Sequence, residues 1–246
     1  MTLPMFVCPE VAGAENGAIL TITGEEAHHA AVVRRIRVGE QVDLTDGKGS
    51  LATVEVTEVD KERLAGRVLS REDLIPETPR VVVVQAIPKG DRGELAVEML
   101  TEVGADVIVP WSAERCVSVW RGERAEKSLR KWRSAAREAA KQARRAWFPE
   151  VRPMATTPEV AELLHGASVR VVLHESASGP LSHIPVPGRG EIVIVVGPEG
   201  GISDAELEAF SAVGAEALRM GSSVLRTSTA GVAAAAALLA RTPRWR

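Results

Sequence analysis

The sequence predicts an α/β protein in two parts, a small β domain followed by a parallel sheet covered by helices on both faces. In the first part, short segments of alternating hydrophobicity are separated by turn signals such as DGKG and DKE. In the second part, continuous Val/Ile runs such as VVVVQAI and EIVIVV alternate with helical segments, as in parallel sheets. The charged, proline-containing stretch EDLIPETPR separates them. We therefore predict one domain over residues 1–72 and a second over residues 73–246.

The first domain is predicted to be a small β barrel or sandwich. Its strand candidates are GAILTI, QVDLTD, LATVEVTEV and RLAGRVLS, with one helical segment, EEAHHAAVVRRIR, among them. Successive strand candidates lie about ten residues apart, a spacing that is typical of small barrels and sandwiches.

Strands and helices alternate through the second domain. The predicted strands are VVVVQAI, VIVP, RVVLHE, EIVIVV and ALRMG. The predicted helices are GELAVEMLTEVG, AEKSLRKWRSAAREAAKQARRA, PEVAELLHG, DAELEAFSAVG and TSTAGVAAAAALLA. By itself this pattern favours a Rossmann-like open sheet, whose ligands bind outside the carboxyl ends of the strands. Three strand ends are therefore candidate ligand loops: HESAS, GPEGG and MGSSVLRTSTA.

Composition excludes several classes of protein. The 246 residues are 45% hydrophobic and 26% charged, an ordinary globular balance. The two cysteines, Cys8 and Cys116, cannot build a disulfide framework or a four-cysteine zinc site, and we expect a reducing cytoplasm. The histidines show no HExxH or HxH spacing, so we expect no metal. No apolar run reaches the ~18 residues of a membrane helix and no signal peptide is recognisable, so we expect no membrane partner.

Positive charge is concentrated in one segment of a chain whose net charge is −3. Residues 121–145 contain ten Lys or Arg residues and three Glu residues. In the helix predicted there, Leu129 and Trp132 belong to an apolar face at helical spacing, which leaves the basic side chains outside. Such a face suits contact with RNA phosphates, and it suits simple solvation equally well.

The GPEGGIS segment lies between a predicted strand and a predicted helix. It has neither the GxGxxG fingerprint of a dinucleotide site nor the Lys of a phosphate-binding loop. Ser203 and Glu206 match a helix capping box, which requires no ligand. Gly200 and Gly201 allow close approach of the backbone. A tight turn and a ligand loop both fit, and the density of Gly and Pro favours a ligand loop.

Arg226 lies near the predicted start of the last helix, where its charge opposes the helix dipole. This position favours an anionic or polar ligand, with a structural salt bridge as the alternative.

Five ordered segments resemble one known family. They are HHAAVVRRIRVGE with DGKG, QAIPKGDRGELAVEMLTEVGADVIVP, WRSAAREAAKQARRAWFPEV, VVGPEGGISDAE and LRMGSSVLRTSTA, and they span about residues 28–230. By these segments the chain is similar to the RsmE-type 16S rRNA uridine-N3 methyltransferases of the SPOUT superfamily. The resemblance implies a PUA-like RNA-binding β domain, then a trefoil-knotted parallel-sheet domain that binds S-adenosylmethionine. The implied partners are 16S rRNA, within the small ribosomal subunit, and a second copy of the chain in a homodimer.

The resemblance also implies the residues of the site. Arg226 is expected to stabilise the anion of the uracil ring, and Glu199 and Glu102 are candidate acid/base or orienting groups. The residues expected to hold the cofactor are Leu173, His174, Glu175, Val196, Gly197, Pro198, Gly201, Met220, Gly221, Val224, Leu225 and Arg226. The expected RNA contacts are Arg34, Arg35, Lys89, Arg115, Arg137, Lys141, Arg144 and Arg145.

The chain departs from the family pattern at three positions. Many relatives have Glu where this chain has Ser228, so a base at that position is absent here. Ser223 and Met5 stand where relatives often have Arg. Two other functions fit parts of the sequence: a non-catalytic RNA-binding protein of the ribosome and a nucleotide-dependent Rossmann-type oxidoreductase. The sequence lacks the acidic residue that an oxidoreductase of this type would have about 20 residues beyond a glycine fingerprint.

Overall fold

The computed structural model describes residues 2–245, which form two compact units. The first unit contains the residues up to Pro76 together with Ala140–Phe148. The second contains Glu77–Ala139 together with the residues from Pro149 onward. The first boundary lies between residues 76 and 77, four residues beyond the predicted one between 72 and 73. The chain also returns to the first unit for nine residues, 140–148.

Aromatic packing on glycine explains why residues 140–148 belong to the first unit. A Cβ atom on Gly49 would lie 2.6 Å from the ring of Trp147, so only glycine leaves room for the indole. The indole nitrogen of Trp147 donates a hydrogen bond of 2.8 Å to the carbonyl oxygen of Leu74. The basic, helical pattern of this stretch carries no sign of the return, since these contacts join residues far apart in the chain.

The first unit is built on a five-stranded sheet with the order β1-β3-β4-β5-β2. Its strands are β1 (Met5–Val7), β2 (Ile19–Thr23), β3 (Gln41–Thr45), β4 (Ser50–Val59) and β5 (Arg63–Asp73). β1 pairs parallel with β3, and the other pairs are antiparallel. The four predicted strands are present, and β1 is an addition that the sequence analysis did not predict. A 3-10 turn covers Pro9–Val11, and helix α1 (Gly24–His28) continues as a π-helical turn over His29–Val33.

The second unit is an alternation of strands and helices. Its strands are β6 (Arg80–Ala86), β7 (Val107–Trp111), β8 (Glu150–Val151), β9 (Val169–Leu173), β10 (Gly179–Pro180), β11 (Glu191–Val196) and β12 (Glu216–Arg219). Its helices are α2 (Arg92–Val103), α3 (Gly122–Gln142, whose end belongs to the first unit), α4 (Thr157–Gly166), α5 (Asp204–Ala212) and α6 (Thr227–Leu239). Short 3-10 turns cover Leu181–His183 and Pro243–Trp245.

The seven strands form a parallel sheet with the order β10-β12-β9-β11-β6-β7-β8. Successive strand residues point to opposite faces, so Val81 and Val83 enter one hydrophobic cluster while Val82 and Val84 enter another. Helices α2, α3 and α6 cover the first face, and α4 and α5 cover the second. Both faces are therefore buried, which is why the strands are continuously apolar in sequence.

The Ala-rich helix α6 packs unusually close to the sheet. A Cβ atom on Gly231 would lie 3.1 Å from Val196, 3.3 Å from Leu100 and 3.3 Å from Val83. The small residues of α6 therefore serve packing within the second unit. Within residues 2–245, no helix combines the length and apolar character needed to cross a membrane. The same residues contain no group of three or more His, Cys, Asp or Glu side chains arranged to hold a metal ion.

Candidate functional site

A cavity of about 330 Å³ lies at the carboxyl ends of β9, β11 and β12. Its walls come mainly from the three loops that follow these strands. Parallel strands end at the same edge of the sheet, and this brings together motifs that are far apart in sequence. All the residues that the resemblance assigned to the cofactor line this cavity: Leu173, His174, Glu175, Val196, Gly197, Pro198, Gly201, Met220, Gly221, Val224, Leu225 and Arg226.

The GPEGG loop between β11 and α5 is both a tight turn and a wall of the cavity. Gly201 adopts a φ of +76°, and its backbone nitrogen donates a 2.9 Å hydrogen bond to the carbonyl oxygen of Pro198. A Cβ atom on Gly200 would lie 2.8 Å from the carbonyl oxygen of Arg115. The positive φ therefore requires glycine at position 201, and the close approach of the Arg115 backbone requires glycine at position 200.

Glu206 does more than cap α5. One carboxylate oxygen accepts a 2.9 Å hydrogen bond from the backbone nitrogen of Ser203, as the capping box predicts. The other accepts hydrogen bonds from the backbone nitrogen of Glu114 at 2.8 Å and from the hydroxyl of Thr157 at 3.3 Å. Glu206 is only 4% exposed. This buried carboxylate therefore joins the loop after β7 and the start of α4 to the loop that lines the cavity.

Glu199 lines the cavity and also holds a neighbouring loop. One of its carboxylate oxygens accepts a 3.2 Å hydrogen bond from the backbone nitrogen of Lys89, in the segment before α2. Arg92, the first residue of α2, reaches the same cavity. This hydrogen bond thus fastens the segment that leads into α2 beside the GPEGG loop.

Two buried polar residues, Thr227 at the cavity and Gln85 beside it, were given no role from the sequence. The hydroxyl of Thr227 donates to the carbonyl oxygen of Gly197 at 2.7 Å and accepts from the side-chain nitrogen of Gln85 at 3.0 Å. Gln85 is fully buried, and its side-chain oxygen has no hydrogen-bond partner among the described residues. The signal for Gln85 was a single Gln near the end of the apolar run VVVVQAI. Burying a polar side chain is costly unless it is hydrogen-bonded, so such a residue indicates a specific partner.

The first and third loops of the cavity are held mainly by backbone. The backbone nitrogen of His174 donates to the carbonyl oxygen of Leu218 at 3.0 Å, and its ring Nδ1 accepts from the backbone nitrogen of Ser176 at 3.3 Å. Gly221 adopts a φ of +72°. Val224 is 78% exposed and lines the cavity, so this loop offers an apolar wall that is open on one side.

Arg226 immediately precedes α6, and its carbonyl oxygen accepts the first hydrogen bonds of the helix. Arg226 lines the cavity, as do Arg92 and Arg219. The last two were missed: Arg92 follows the KGD turn, and Arg219 lies inside the LRMG motif. An Arg at a strand end or a helix start was the signal that could have indicated them.

Glu102 lies away from this cavity and is not among the residues that line it. It is exposed near the end of α2, ten residues after Arg92. At ~1.5 Å per helical residue this separation is about 15 Å along the helix axis. We therefore leave Glu102 out of the proposed site.

The residues expected to contact RNA differ in exposure. Arg34 and Arg35 are exposed in the first unit, after the π-helical turn, and Arg35 adopts a φ of +54°. Lys89, Arg115 and Arg137 are exposed in the second unit. Arg144 and Arg145 are partly buried in the middle of the 140–148 segment that returns to the first unit.

Lys141 has a structural position instead. Its side chain is 7% exposed, and its ammonium donates a 3.0 Å hydrogen bond to the carboxylate of Glu26. The other oxygen of Glu26 accepts from the backbone nitrogen of Val7. A buried, paired ammonium is not available to a phosphate, so Lys141 is withdrawn from the predicted RNA contacts.

Comparison with known proteins agrees with this geometry. A family model described as an RNA methyltransferase domain matches residues 76–239, and one described as an RNA methyltransferase PUA domain matches residues 22–69. The chain is 46% identical over 236 residues to the ribosomal RNA small subunit methyltransferase E of Mycobacterium bovis, covering 94% of this chain and 90% of the relative. The protein of that name from Bacillus subtilis is 30% identical over 232 residues, covering 91% of each chain.

Solved structures are similar over nearly the whole chain. The ribosomal RNA small subunit methyltransferase E of Neisseria gonorrhoeae bound to S-adenosyl methionine matches with a TM-score of 0.87 and 29% identity, covering 98% of each chain. A methyltransferase of Legionella pneumophila in complex with the cofactor SAM matches with a TM-score of 0.88 and 28% identity, covering 98% of this chain and 99% of that one.

These matches confirm the predicted fold class, a PUA-like β domain followed by a SPOUT-type parallel-sheet domain. They are incompatible with the oxidoreductase alternative, and the Rossmann-like sheet favoured by the strand pattern alone is replaced by the SPOUT-type sheet. The family model covers more than half of the chain, and the two relatives are aligned over nearly all of it. The chain therefore belongs to the ribosomal RNA small subunit methyltransferase E family.

Proposed function

We propose that this chain is an S-adenosylmethionine-dependent methyltransferase that modifies N3 of a uridine in 16S rRNA. One observation carries the proposal: all the residues expected to hold the cofactor, which come from three separate loops, line a single cavity. The relatives named for ribosomal RNA methylation support the substrate class.

The residues at the cavity fit the proposed cofactor. Its volume of about 330 Å³ lies within the ~300–1,000 Å³ range of small-molecule sites. Leu173, Val196 and Leu225 offer apolar surface to an adenine ring, and the glycine-rich backbone offers N–H and C=O groups to its polar edges. When bound, S-adenosylmethionine supplies an electrophilic methyl group on its sulfonium.

The remaining chemistry concerns the uracil ring. Its N3 carries a proton and is paired in a duplex, so the base must be unpaired or flipped out. Arg226 is proposed to place its guanidinium beside a ring oxygen and so favour the anion that forms when N3 loses its proton. Ser228, where many relatives have Glu, is 4% exposed and offers no carboxylate base. We propose that fixed positive charge favours the ring anion in its place.

Glu199 is proposed to hold the segment before α2 in place beside the cavity. One of its carboxylate oxygens is already occupied by the backbone nitrogen of Lys89. Removing the carboxylate would release the segment that carries Arg92 to the cavity. We propose this role for Glu199 in place of direct proton transfer.

The proposed setting is a homodimer in the cytoplasm that acts on the small ribosomal subunit. Exposed apolar side chains of the second unit, such as Leu95, Val117 and Val119, are candidates for the interface between copies. Of the expected RNA contacts, all except Lys141 are retained as proposed phosphate contacts. Light scattering of the purified chain tests the dimer, since a monomer at micromolar concentration would contradict it.

Two measurements test the proposed activity. Calorimetry with S-adenosylmethionine should give saturable binding with one site per chain. Incubation with small ribosomal subunits from cells lacking the gene, followed by mass spectrometry of nucleosides, should give 3-methyluridine. RNA binding without cofactor binding would instead support the non-catalytic alternative, and methylation of another atom would contradict the proposed N3 chemistry.

A further inference from the structure

Three arginines from separate elements line the cavity. Arg92 begins α2, Arg219 ends β12, and Arg226 precedes α6. Only Arg226 was expected there. The other two have no role in the proposed cofactor contacts or in the chemistry at N3.

None of these three guanidinium groups makes a hydrogen bond or ion pair with another described residue. By contrast, two other arginines of the second unit are committed to the fold. Arg170 donates to the carbonyl oxygen of Val213 at 2.7 Å, and Arg244, whose side chain is 3% exposed, pairs with Asp106 at 2.7 Å. The guanidinium groups at the cavity are therefore available to a ligand.

Helix dipoles add to the positive charge at the cavity. Arg92 and Arg226 lie at the amino ends of α2 and α6, where the helix dipole is already positive. The acidic residues at the cavity are Glu175 and Glu199, and the second already accepts a hydrogen bond from Lys89. Accumulated positive charge of this kind indicates an anion.

A phosphate of the RNA fits better than the cofactor. S-adenosylmethionine brings one carboxylate together with two positive groups, so it does not call for two further guanidinium groups. A flipped nucleotide brings one phosphate on each side of its ribose, and the planar fork of Arg matches phosphate oxygens. Building on the proposed function, we propose that Arg92 and Arg219 bind the two phosphates that flank the target uridine.

The test compares Arg92→Gln and Arg219→Gln with Arg189→Gln, an exposed arginine of the same unit outside the cavity. With unmethylated small ribosomal subunits, each cavity variant should raise the KM for the RNA about tenfold, the size of one lost charge-assisted hydrogen bond. The kcat should stay within about twofold of wild type. The dependence of log(1/KM) on log[KCl] should become shallower by ~0.7 per arginine, as for one single-strand phosphate.

Cofactor binding separates the two sources of an anion. Calorimetry with S-adenosylmethionine and with 5′-methylthioadenosine, which lacks the carboxylate, should give the same affinities for wild type and both cavity variants. If the cavity variants lose affinity for S-adenosylmethionine but not for 5′-methylthioadenosine, the arginines bind the cofactor carboxylate. That result would overturn the phosphate assignment. Arg92→Lys and Arg219→Lys keep the charge, so they should keep the salt dependence of wild type.

Failure of the inference differs from failure of the proposed function. If wild type neither binds the cofactor nor methylates RNA, the proposed function fails. If wild type does both and the cavity variants match Arg189→Gln in KM and salt dependence, the phosphate contacts alone are refuted.

Discussion

The hydroxyl of Thr227 donates a hydrogen bond of 2.7 Å to the carbonyl oxygen of Gly197, and it thereby ties the first residue of α6 to the GPEGG loop. Gln85, at the end of β6, donates to the same hydroxyl at 3.0 Å. Both Thr227 and Gln85 are buried. Two hydrogen bonds from buried side chains therefore hold this wall of the cavity against the core.

Thr227→Val should weaken S-adenosylmethionine binding about tenfold and lower the free energy of unfolding by ~1–3 kcal/mol, because it removes the hydroxyl donor to the Gly197 carbonyl and one of the two acceptors of the Gln85 side-chain amide. Calorimetry and urea denaturation measure the two effects. The matched control is Thr242→Val, whose buried hydroxyl donates 2.8 Å to Leu239 at the other end of α6. The control should lose stability and keep its affinity. Equal loss of affinity in both variants would show that general destabilisation is the cause.

Glu206→Gln should lower the free energy of unfolding by ~2–3 kcal/mol. In the wild-type chain the carboxylate accepts hydrogen bonds from the backbone nitrogens of Ser203 and Glu114 and from the hydroxyl of Thr157. The amide of Gln keeps only one acceptor oxygen, and its NH₂ group would face a donor on the other side. Urea denaturation is the measurement, and the exposed Glu208→Gln on the same helix is the control. A change as small as that of the control would mean that the three hydrogen bonds add nothing to stability.

Both thiols should be unreactive in the folded chain. Burial, helped by the neighbouring Glu10 carboxylate, raises the pKa of Cys8 to about 12, and burial also raises the pKa of Cys116. Iodoacetamide at pH 8, followed by mass spectrometry, should label both slowly in buffer and quickly in urea. The raised pKa of Cys8 also stabilises the fold below pH ~9, and this contribution should be lost as the pH rises toward 12. Fast labelling of native Cys8 would contradict its burial.

The sequence predicts the parts of the fold that depend on local pattern. Continuous Val runs indicated β6 and β11, turn residues separated the strands of the first unit, and Ser203 marked the start of α5. The three loops of the cavity were also found, because each carries polar or glycine residues directly after an apolar strand. That they form one cavity followed from the parallel order of the sheet.

Contacts between distant parts of the chain could not be predicted in this way. Lys141 looks like every other basic residue of α3, yet Glu26 buries and pairs it from 115 positions away. Glu206 satisfied its capping motif in full, so nothing pointed to its bond with Glu114. When a residue already fits a local motif, as Glu206 fits the capping box, the sequence gives no reason to expect a second contact. Such contacts are seen only in the folded structure.

Gly200→Ala should weaken cofactor binding by tenfold or more. Its Cβ atom would lie 2.8 Å from the carbonyl oxygen of Arg115, and backbone cannot yield as a side chain does, so the cavity wall must shift. Gly188→Ala is the control, since its Cβ atom would lie 3.8 Å from Pro243, an ordinary contact. Calorimetry with S-adenosylmethionine compares them. Wild-type affinity in Gly200→Ala would mean that this segment is not part of the binding wall.

Arg226→Ala should lower the rate of methyl transfer by ~10²–10³ while S-adenosylmethionine still binds, because the lost guanidinium would act on the uracil anion and only during reaction. The helix should survive, since the carbonyl of Arg226, which alanine also has, accepts the hydrogen bonds of Thr229 and Ala230. Single-turnover assays with saturating RNA and cofactor measure the rate. Raising the pH should restore the variant more than wild type, since N3 then ionises in solution without help. Near-normal turnover, or the same pH response in both proteins, would remove Arg226 from the chemistry.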